Sequence, residues 1–399
     1  MKPTVLLTGA RAPVTLDLAR ALKNAGHKVI GAESFKHALS KNSIAFDRFY
    51  SISSPNQSLT NFKDDLLRVI QIEKVELLIP TCEEVFHVAR VREDLSCDVL
   101  VDSFQKLNHL HQKFEFNSFC KKENIDAPES FRIHTFDEAE AILKSLNWGK
   151  YVLKPDYSRF ASSTRILDLD SSLQFLKASS LQKGAAWVIQ KFLKGPEFCT
   201  YSLVKNGQLL AHVTYDHEFT AGPGAGICFR AIHHPVIEKW VKIFVQKYNF
   251  TGQIAFDFIQ LEDGNVQALE CNPRATSGLH LVAHLPLFLE ALTARRRDST
   301  ISIPATPPPV ITPKVGAEGQ LRLAMLVYGL PSIRTFKRLA HWLNTFFFAR
   351  EVVFSFNDLR PFFDQFATFF NLLLISKRLK ISPLEVSTQD IEWNGEKTQ

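Results

Sequence analysis

Along the first hundred residues, apolar positions cluster in short runs separated by amphipathic stretches. Residues 5–8, 29–32, 75–79 and 99–101 are almost wholly apolar, as expected of strands buried on both faces of a sheet. Between the first two, Val14, Leu18, Ala21 and Leu22 share one face of a helix over 13–24, and residues 61–70 repeat that period. Strand–helix alternation over 1–103 predicts an α/β domain, a parallel sheet covered by helices. Ligands of such sheets lie beyond the carboxyl ends of the strands, here around residues 8–11 and 80–84.

Over 104–298 the pattern changes to helices followed by hairpins. Asn206-Gly207 separates apolar stretches at 198–205 and 208–215, and Asp263-Gly264 separates 254–262 from 265–272. Both dipeptides favour two-residue hairpin loops. Pro304, Pro307, Pro308, Pro309 and Pro313 then mark an extended linker over 299–314. The stretch 315–399 carries 11 phenylalanines between Phe336 and Phe370. Phe362, Phe366, Phe369, Phe370 and Leu373 recur at helical spacing, which predicts a mostly helical, Phe-rich region. Its stripe is expected to pack as core or against a second copy in a homodimer, with peripheral contact to a membrane as the alternative.

Composition narrows the class. The 399 residues suit two or three domains at roughly 150 residues each. With 45% hydrophobic and 22% charged residues the chain is neither disordered nor fibrous. A net charge of +6, from 47 basic and 41 acidic residues, is too balanced to point to nucleic acid. No run approaches the ~18 apolar residues of a membrane span, and the amino-terminal apolar run is too short for a secretory signal. Cys82, Cys97, Cys120, Cys199, Cys228 and Cys271 form no CxxC pair and read as reduced thiols of a cytoplasmic protein.

The turn Thr8-Gly9-Ala10-Arg11-Ala12-Pro13 has one glycine where a pyrophosphate-binding turn needs several, which disfavours a dinucleotide-dependent dehydrogenase. The second hairpin is more informative. With a two-residue Asp263-Gly264 loop, paired positions sum to 527 and Asp257 faces Glu270. Strand alternation adds Asn272 to that face, then Arg274, with Ala255, Ile259, Leu261, Val266 and Ala268 as apolar neighbours. Phe256, Phe258 and Leu269 take the other face. Opposed carboxylates in apolar surroundings need a cation or a shared proton. Two carboxylates and an amide oxygen are hard ligands suited to magnesium between protein and phosphates. Arg274 then offers a fork to an adjacent anionic oxygen. A slipped register would instead leave both acids solvated.

Glu270-Cys271-Asn272-Pro273-Arg274, together with Tyr151-Val152-Leu153-Lys154-Pro155 and Ile189-Gln190-Lys191-Phe192-Leu193-Lys194-Gly195-Pro196-Glu197, resembles the ATP-grasp superfamily. The likeness is nearest to the carbamoyl-phosphate synthetase large chain and related carboxylate–amine ligases. It covers residues 1–298 and implies a Rossmann-like pre-ATP-grasp domain followed by two lobes, about 104–189 and 190–298, that grip ATP. The resemblance implies that Lys113 and Lys154 contact phosphates, that Gln190, Lys191, Phe192 and Leu193 form the adenine-reading hinge, and that Glu197 binds ribose. Asp257, Glu270 and Asn272 match the family's Mg2+ ligands, with Mn2+ as a substitute, and Arg274 the arginine that steadies the transferring phosphoryl group. The implied reaction joins a small-molecule carboxylate to an amine (or thiol) through an acylphosphate, consuming ATP and giving ADP and phosphate.

Two features depart from that family. The loop after Pro155, usually glycine-rich, reads Asp156-Tyr157-Ser158-Arg159-Phe160-Ala161-Ser162-Ser163-Thr164, leaving hydroxyls and Arg159 as donors to phosphate or substrate. Ala221-Gly222-Pro223-Gly224-Ala225-Gly226 lacks the Gly-Lys-Ser/Thr of a Walker loop and is expected to shape the acceptor pocket, with Arg230 as a carboxylate anchor. Ser277-Gly278 offers helix-start amides to an anionic group. His280 and His284, four apart among leucines, read as packing rather than zinc ligands. Glu83-Glu84 reads equally as helix-start acids or as substrate contacts. The alternative to a ligase is a non-catalytic ATP-binding scaffold or sensor of the same fold, for which the glycine-free loop is the best support.

Overall fold

The computed structural model describes residues 2–158, 163–178, 181, 185–222, 224–294 and 309–395. The first sheet holds β1 (Val5–Thr8), β2 (Val29–Glu33), β3 (Arg48–Ser51), β4 (Leu77–Ile79) and β5 (Asp98–Val99), all parallel, in the order β3-β2-β1-β4-β5. Every residue of β1, β2 and β4 is buried, which is why these strands read as apolar runs. β3 escaped that pattern because Arg48 to Ser51 lie half-exposed at the sheet edge. The intervening helix Pro13–Asn24 starts on its proline, where a missing N–H leaves no bond unmade.

The second sheet contains β6 (Ser130–Ile133), β7 (Tyr151–Pro155), β8 (Arg165–Leu167) and β9 (Trp187–Lys191), antiparallel in the order β6-β9-β7-β8. Ile133, Tyr151, Leu153, Trp187 and Ile189 form a core with Leu143 and Leu176 of the helices Phe136–Ser145 and Leu169–Ala178. Strand alternation therefore presents Lys154 and Gln190 on the opposite face.

The largest sheet runs β16-β15-β10-β11-β14-β17-β18, from β10 (Glu197–Lys205), β11 (Gln208–Asp216), β14 (Cys228–Ile232), β15 (Gly252–Gln260), β16 (Val266–Asn272), β17 (Glu318–Gln320) and β18 (Arg350–Glu351). A separate ribbon pairs β12 (Thr220–Ala221) with β13 (Ala225–Gly226). Asn206 and Gly207, at φ +49° and +75°, close a two-residue β10–β11 loop with Lys205 opposite Gln208, as the sequence predicts. Trp240 and Phe244 of the helix Pro235–Tyr248 pack on Phe256 and Phe258 of β15 with ring centroids 5.0–5.1 Å apart. Phe116 joins this cluster at 6.1 Å from Phe256 and so fixes the helix Lys113–Lys122 on the same strand.

The carboxyl-terminal region is mostly helical, with Phe336–Phe348 and Arg360–Leu379 as its longest helices. It also donates β17 and β18 to the large sheet, which the hydrophobic pattern did not predict. Glycine is required at Gly319, where a Cβ would stand 2.3 Å from the Phe229 ring. Buried Gln320 closes the end of Phe336–Phe348, its amide donating to the carbonyls of Thr345, Phe346 and Ala349 at 2.9–3.0 Å. Ile311, inside the expected linker, exchanges backbone hydrogen bonds of 2.9 Å with Leu210 and His212 of β11. Pro304, Pro307 and Pro308 lie outside the described residues. Near the chain's end, Asp390 pairs at 2.5 Å with Arg11, which also pairs at 2.6 Å with Glu33.

One buried charge joins three parts of the chain. Asp17, on the helix Pro13–Asn24, accepts from His280 Nδ1 and His284 Nε2 at 2.7 Å each, and from the Arg350 guanidinium at 2.8 and 3.0 Å. The histidine pair, expected to serve packing, is thus a polar clamp. Burial opposes ionisation of Asp17, but its hydrogen bonds to His280 and His284, with Arg350 adding to them, hold it well below the ordinary carboxylate range. Asp17→Asn is expected to cost about 1–3 kcal/mol at neutral pH, because it takes the charged acceptor from buried His280 and from part-exposed Arg350. A depressed native pKa adds stability that is complete above the unfolded value of about 4 and lost as pH falls. Urea unfolding should therefore show the gap between wild type and variant narrowing as pH drops toward about 3.

Candidate functional site

Asp257 lies opposite Glu270, and Ala255 opposite Asn272, on β15 and β16. The expected pairing of the acids is present, yet the route to it differs. Leu261 N donates to Asn265 O at 2.8 Å, and Gly264 takes φ +85°, so the loop holds three residues instead of two. Near the turn the paired positions accordingly sum to 526, as in Gln260 with Val266. A bulge after Asp257 leaves Leu269 unpaired and restores the sum of 527 at the acids. Nearer the turn the two departures do not cancel. Val266 and Ala268 share the core with Phe256 and Phe258, a correction to their expected place beside the acids. The bulge also frees Leu269 O, which accepts from Lys154 Nζ at 3.2 Å.

Two buried lysines converge on this hairpin. Lys154 Nζ donates to Gln190 Oε1 at 3.0 Å, and Gln190 Nε2 in turn to Ser130 Oγ at 3.1 Å. Lys113 opens its helix, donates to Ser158 O at 2.8 Å, and stands 3.6 Å from Glu270 Oε2. Burial pulls the Lys154 ammonium down to about 8, against the opposing charge of Glu270. Burial also disfavours the Glu270 carboxylate, but Lys113 and Lys154 hold it below its usual range. Asp257 goes the other way, pushed up by burial and by the charge of Glu270. One acid of the pair is therefore ionised while the other tends to keep its proton. Asn272 Nδ2 lies 3.4 Å from Asp257 Oδ2. Among the described residues no three His, Cys, Asp or Glu side chains gather as a metal site. A hard divalent cation held here would draw on two carboxylates, the Asn272 amide oxygen and its ligand's own oxygens, and would take the place of the proton on Asp257.

Arg274 follows two residues after Asn272, whose Oδ1 accepts from its NH2 at 3.3 Å. Its Nε donates to Glu83 Oε1 at 2.7 Å, so an acid of the first domain aims it. Glu84 accepts from Thr8 Oγ1 at 2.7 Å and from the amides of Thr81 and Cys82 at 3.1 and 3.2 Å. Both acids of the Glu83-Glu84 pair thus bind the protein itself. Beyond Gln190, Lys191 is exposed and Phe192 and Leu193 are half-buried. Gly195 lets this connection pass β15, where a Cβ would meet Gln260 O at 1.9 Å. Glu197, exposed at the start of β10, lies opposite Ile259 and therefore on the same sheet face as Asp257.

No family model and no curated protein matches the sequence. Solved structures do match in three dimensions. N5-carboxyaminoimidazole synthetase from Staphylococcus aureus, complexed with ADP, aligns with TM-score 0.57 and 12% identity over 73% of this chain and 77% of that one. Phosphoribosylamine–glycine ligase from Thermotoga maritima gives 0.59 and 16% over 79% and 78%. L-amino acid ligase from Bacillus licheniformis gives 0.57 and 16% over 73% and 75%. All three are ATP-grasp enzymes. This chain has the ATP-grasp fold.

Other expected site residues lie elsewhere or are already engaged. Arg230, on β14, pairs with Asp216 at 2.7 Å and lies 3.7 Å from Glu218, so it is not a free anchor. Gly278 is explained by packing: a Cβ would stand 2.6 Å from Tyr201 and 2.7 Å from Tyr215. The helix that Ser277-Gly278 precedes, Leu279–Val282, has only four residues, too few for the dipole an anion site needs. Ala221 packs with Ile227, Met325 and Trp342, which turns the glycine-rich segment toward the carboxyl-terminal region. Arg159 lies outside the described residues. At the first turn, Arg11 N donates to Glu33 Oε2 at 2.9 Å, so the chain's own carboxylate takes that amide.

Sequence reasoning missed two supports of the site. Asp156 accepts from Phe114 N at 2.9 Å and pairs with Arg132 at 2.8 Å, fastening the loop after Pro155 to the helix that carries Lys113. Cys199 lies opposite Asp257 across β10 and β15. Neither contact leaves a local signal, because each joins residues remote in sequence.

Asp257→Asn is expected to stabilise the ligand-free protein. The raised native pKa of Asp257 means that its ionisation works against folding as pH climbs above the unfolded value of about 4. The gain in Tm should be larger at about pH 8 than at about pH 5 by calorimetry. A variant that melts lower at both values would contradict the arrangement.

Proposed function

We propose that this chain is an ATP- and Mg2+-dependent ligase that joins a small-molecule carboxylate to an amine or thiol through an acylphosphate. The observation that carries the reading is the meeting of Lys113 and Lys154 on Glu270, with Asp257 directly opposite. Phosphoryl transfer needs placed positive charge and little covalent help from the protein. The ligases and the synthetase that share the fold support the same reaction class.

Held by Asp257, Glu270 and Asn272, magnesium would supply positive charge to phosphate oxygens. Manganese takes the same hard oxygens and is expected to substitute. Lys154, braced by Gln190 and the Leu269 carbonyl, presents an ammonium that an approaching anion keeps protonated. Lys113 presents its ammonium from the helix side, 3.6 Å from Glu270 Oε2. Arg274, aimed by Glu83, offers its remaining donors to the transferred group. The Gln190–Leu193 backbone would read adenine, and Glu197 would accept from the ribose hydroxyls. No side chain need act as nucleophile. The substrate carboxylate oxygen attacks the γ-phosphorus and ADP leaves; the amine then attacks the acyl carbon, loses a proton, and phosphate leaves.

Thermal unfolding with ATP, with and without Mg2+, tests the nucleotide site. Ligand at 100 times its Kd adds about 2.7 kcal/mol of stability. Wild type is expected to show a Mg2+-dependent rise in Tm that Glu270→Gln loses. A wild type that ignores ATP with Mg2+ overturns the reading. Lys154→Met is expected to lower ADP release in the presence of carboxylate and amine mixtures by at least about a hundredfold. ATP binding without acid-dependent ADP release in any mixture would favour the scaffold.

A further inference from the structure

The helix Arg360–Leu379 lies against the first domain along one side. Thr368 Oγ1 donates to His37 O at 2.7 Å, and Asp364 accepts from Asn42 Nδ2 at 2.9 Å. On the other side Phe363, Phe370 and Leu374 are 64%, 62% and 67% exposed. Their spacing of seven and four residues makes one stripe, with Arg360 before it and the exposed Lys377 and Arg378 after it. The preceding helix Phe336–Phe348 begins and ends on phenylalanines 91% and 82% exposed. Exposed aromatic surface on this scale marks a face that meets something apolar.

Charge decides what that is. Residues 322–380 contain nine Lys and Arg, one of them, Arg350, held by Asp17, and three acids, Glu351, Asp358 and Asp364. The three acids bind the protein's own donors: Glu351 the amides of Arg322 and Val353, Asp358 the side chains of Arg20 and Ser43, and Asp364 that of Asn42. Glu218, which reaches the helix Phe336–Phe348, pairs with His341. A two-fold dimer through this face would press like charges together. A bilayer with anionic headgroups suits both halves of the face, because rings enter the interface while Lys and Arg reach phosphates. Among the described residues no helix is long and apolar enough to cross a membrane.

We infer that the Phe-rich face docks the protein on an anionic lipid surface, with the helix Arg360–Leu379 lying along the interface. The docking does not require the ligase reaction. Flotation of the full chain with phosphatidylcholine vesicles, with and without phosphatidylglycerol, tests it. Wild type is expected to float with the phosphatidylglycerol vesicles at low salt, and to stay in solution with phosphatidylcholine alone or at high salt. Phe363→Ser with Phe370→Ser removes two rings from the interface and is expected to weaken partitioning by at least about a hundredfold. Lys377→Gln with Arg378→Gln is expected to weaken it by roughly thirtyfold. These four side chains are exposed, so an unchanged Tm separates lost docking from lost folding. Wild type that ignores the anionic vesicles overturns the inference, as does equal flotation on both vesicle types or full binding by both variants. A concentration-dependent dimer that the phenylalanine variants abolish, in a protein that ignores vesicles, assigns the face to a second copy and also overturns it.

Discussion

Two carboxylates opposite each other on adjoining strands cannot both ionise without positive charge close by, and the molecule around Asp257 and Glu270 is organised to deliver it. Lys113 arrives on a helix that Phe116 locks to β15, and Lys154 arrives from the second sheet. Each lysine is steadied by neutral oxygens: the Ser158 carbonyl for one, the Gln190 amide and Leu269 carbonyl for the other. Neutral acceptors fix an ammonium without consuming its charge. Had acids held the two lysines in place, their field at the hairpin would be largely cancelled.

The first domain contributes to this site from a distance. Glu83 lies beyond the carboxyl end of β4, where open parallel sheets hold their ligands, and here it holds Arg274 of the neighbouring domain. The corresponding place beyond β1 is filled by Arg11 with Glu33 and Asp390. Residues that a lone Rossmann-like sheet would turn to a cofactor are thus turned to the rest of the chain.

What the sequence made legible was local. The buried, mostly apolar β1 and β2, the Asn206-Gly207 loop and the motif around Glu270 follow from neighbouring residues, and each lies where the pattern predicts. The Asp257–Glu270 pairing came out right through two compensating departures, a longer loop and a bulge, which no periodicity announces. Strands that rely on distant partners stayed hidden: β3 lies half-exposed at an edge, and β17 and β18 are short pieces, the first completed by β14 and the second by β17. Arg230 looked like an anchor because its acids sit on other turns of the chain, and the histidine pair looked like packing because Asp17 is over 260 residues away. Charge partners separated by hundreds of positions are set by the completed fold.

The Asp17 clamp has a mechanical consequence. By tying the first domain, the segment 280–284 after β16 and β18 of the large sheet through one desolvated carboxylate, it makes these parts a single frame. The four-stranded sheet carries Lys154 and Gln190, while Glu270 stays on that frame. Separating the two would withdraw the Lys154 cation from a half-buried anion, at a cost in electrostatic work.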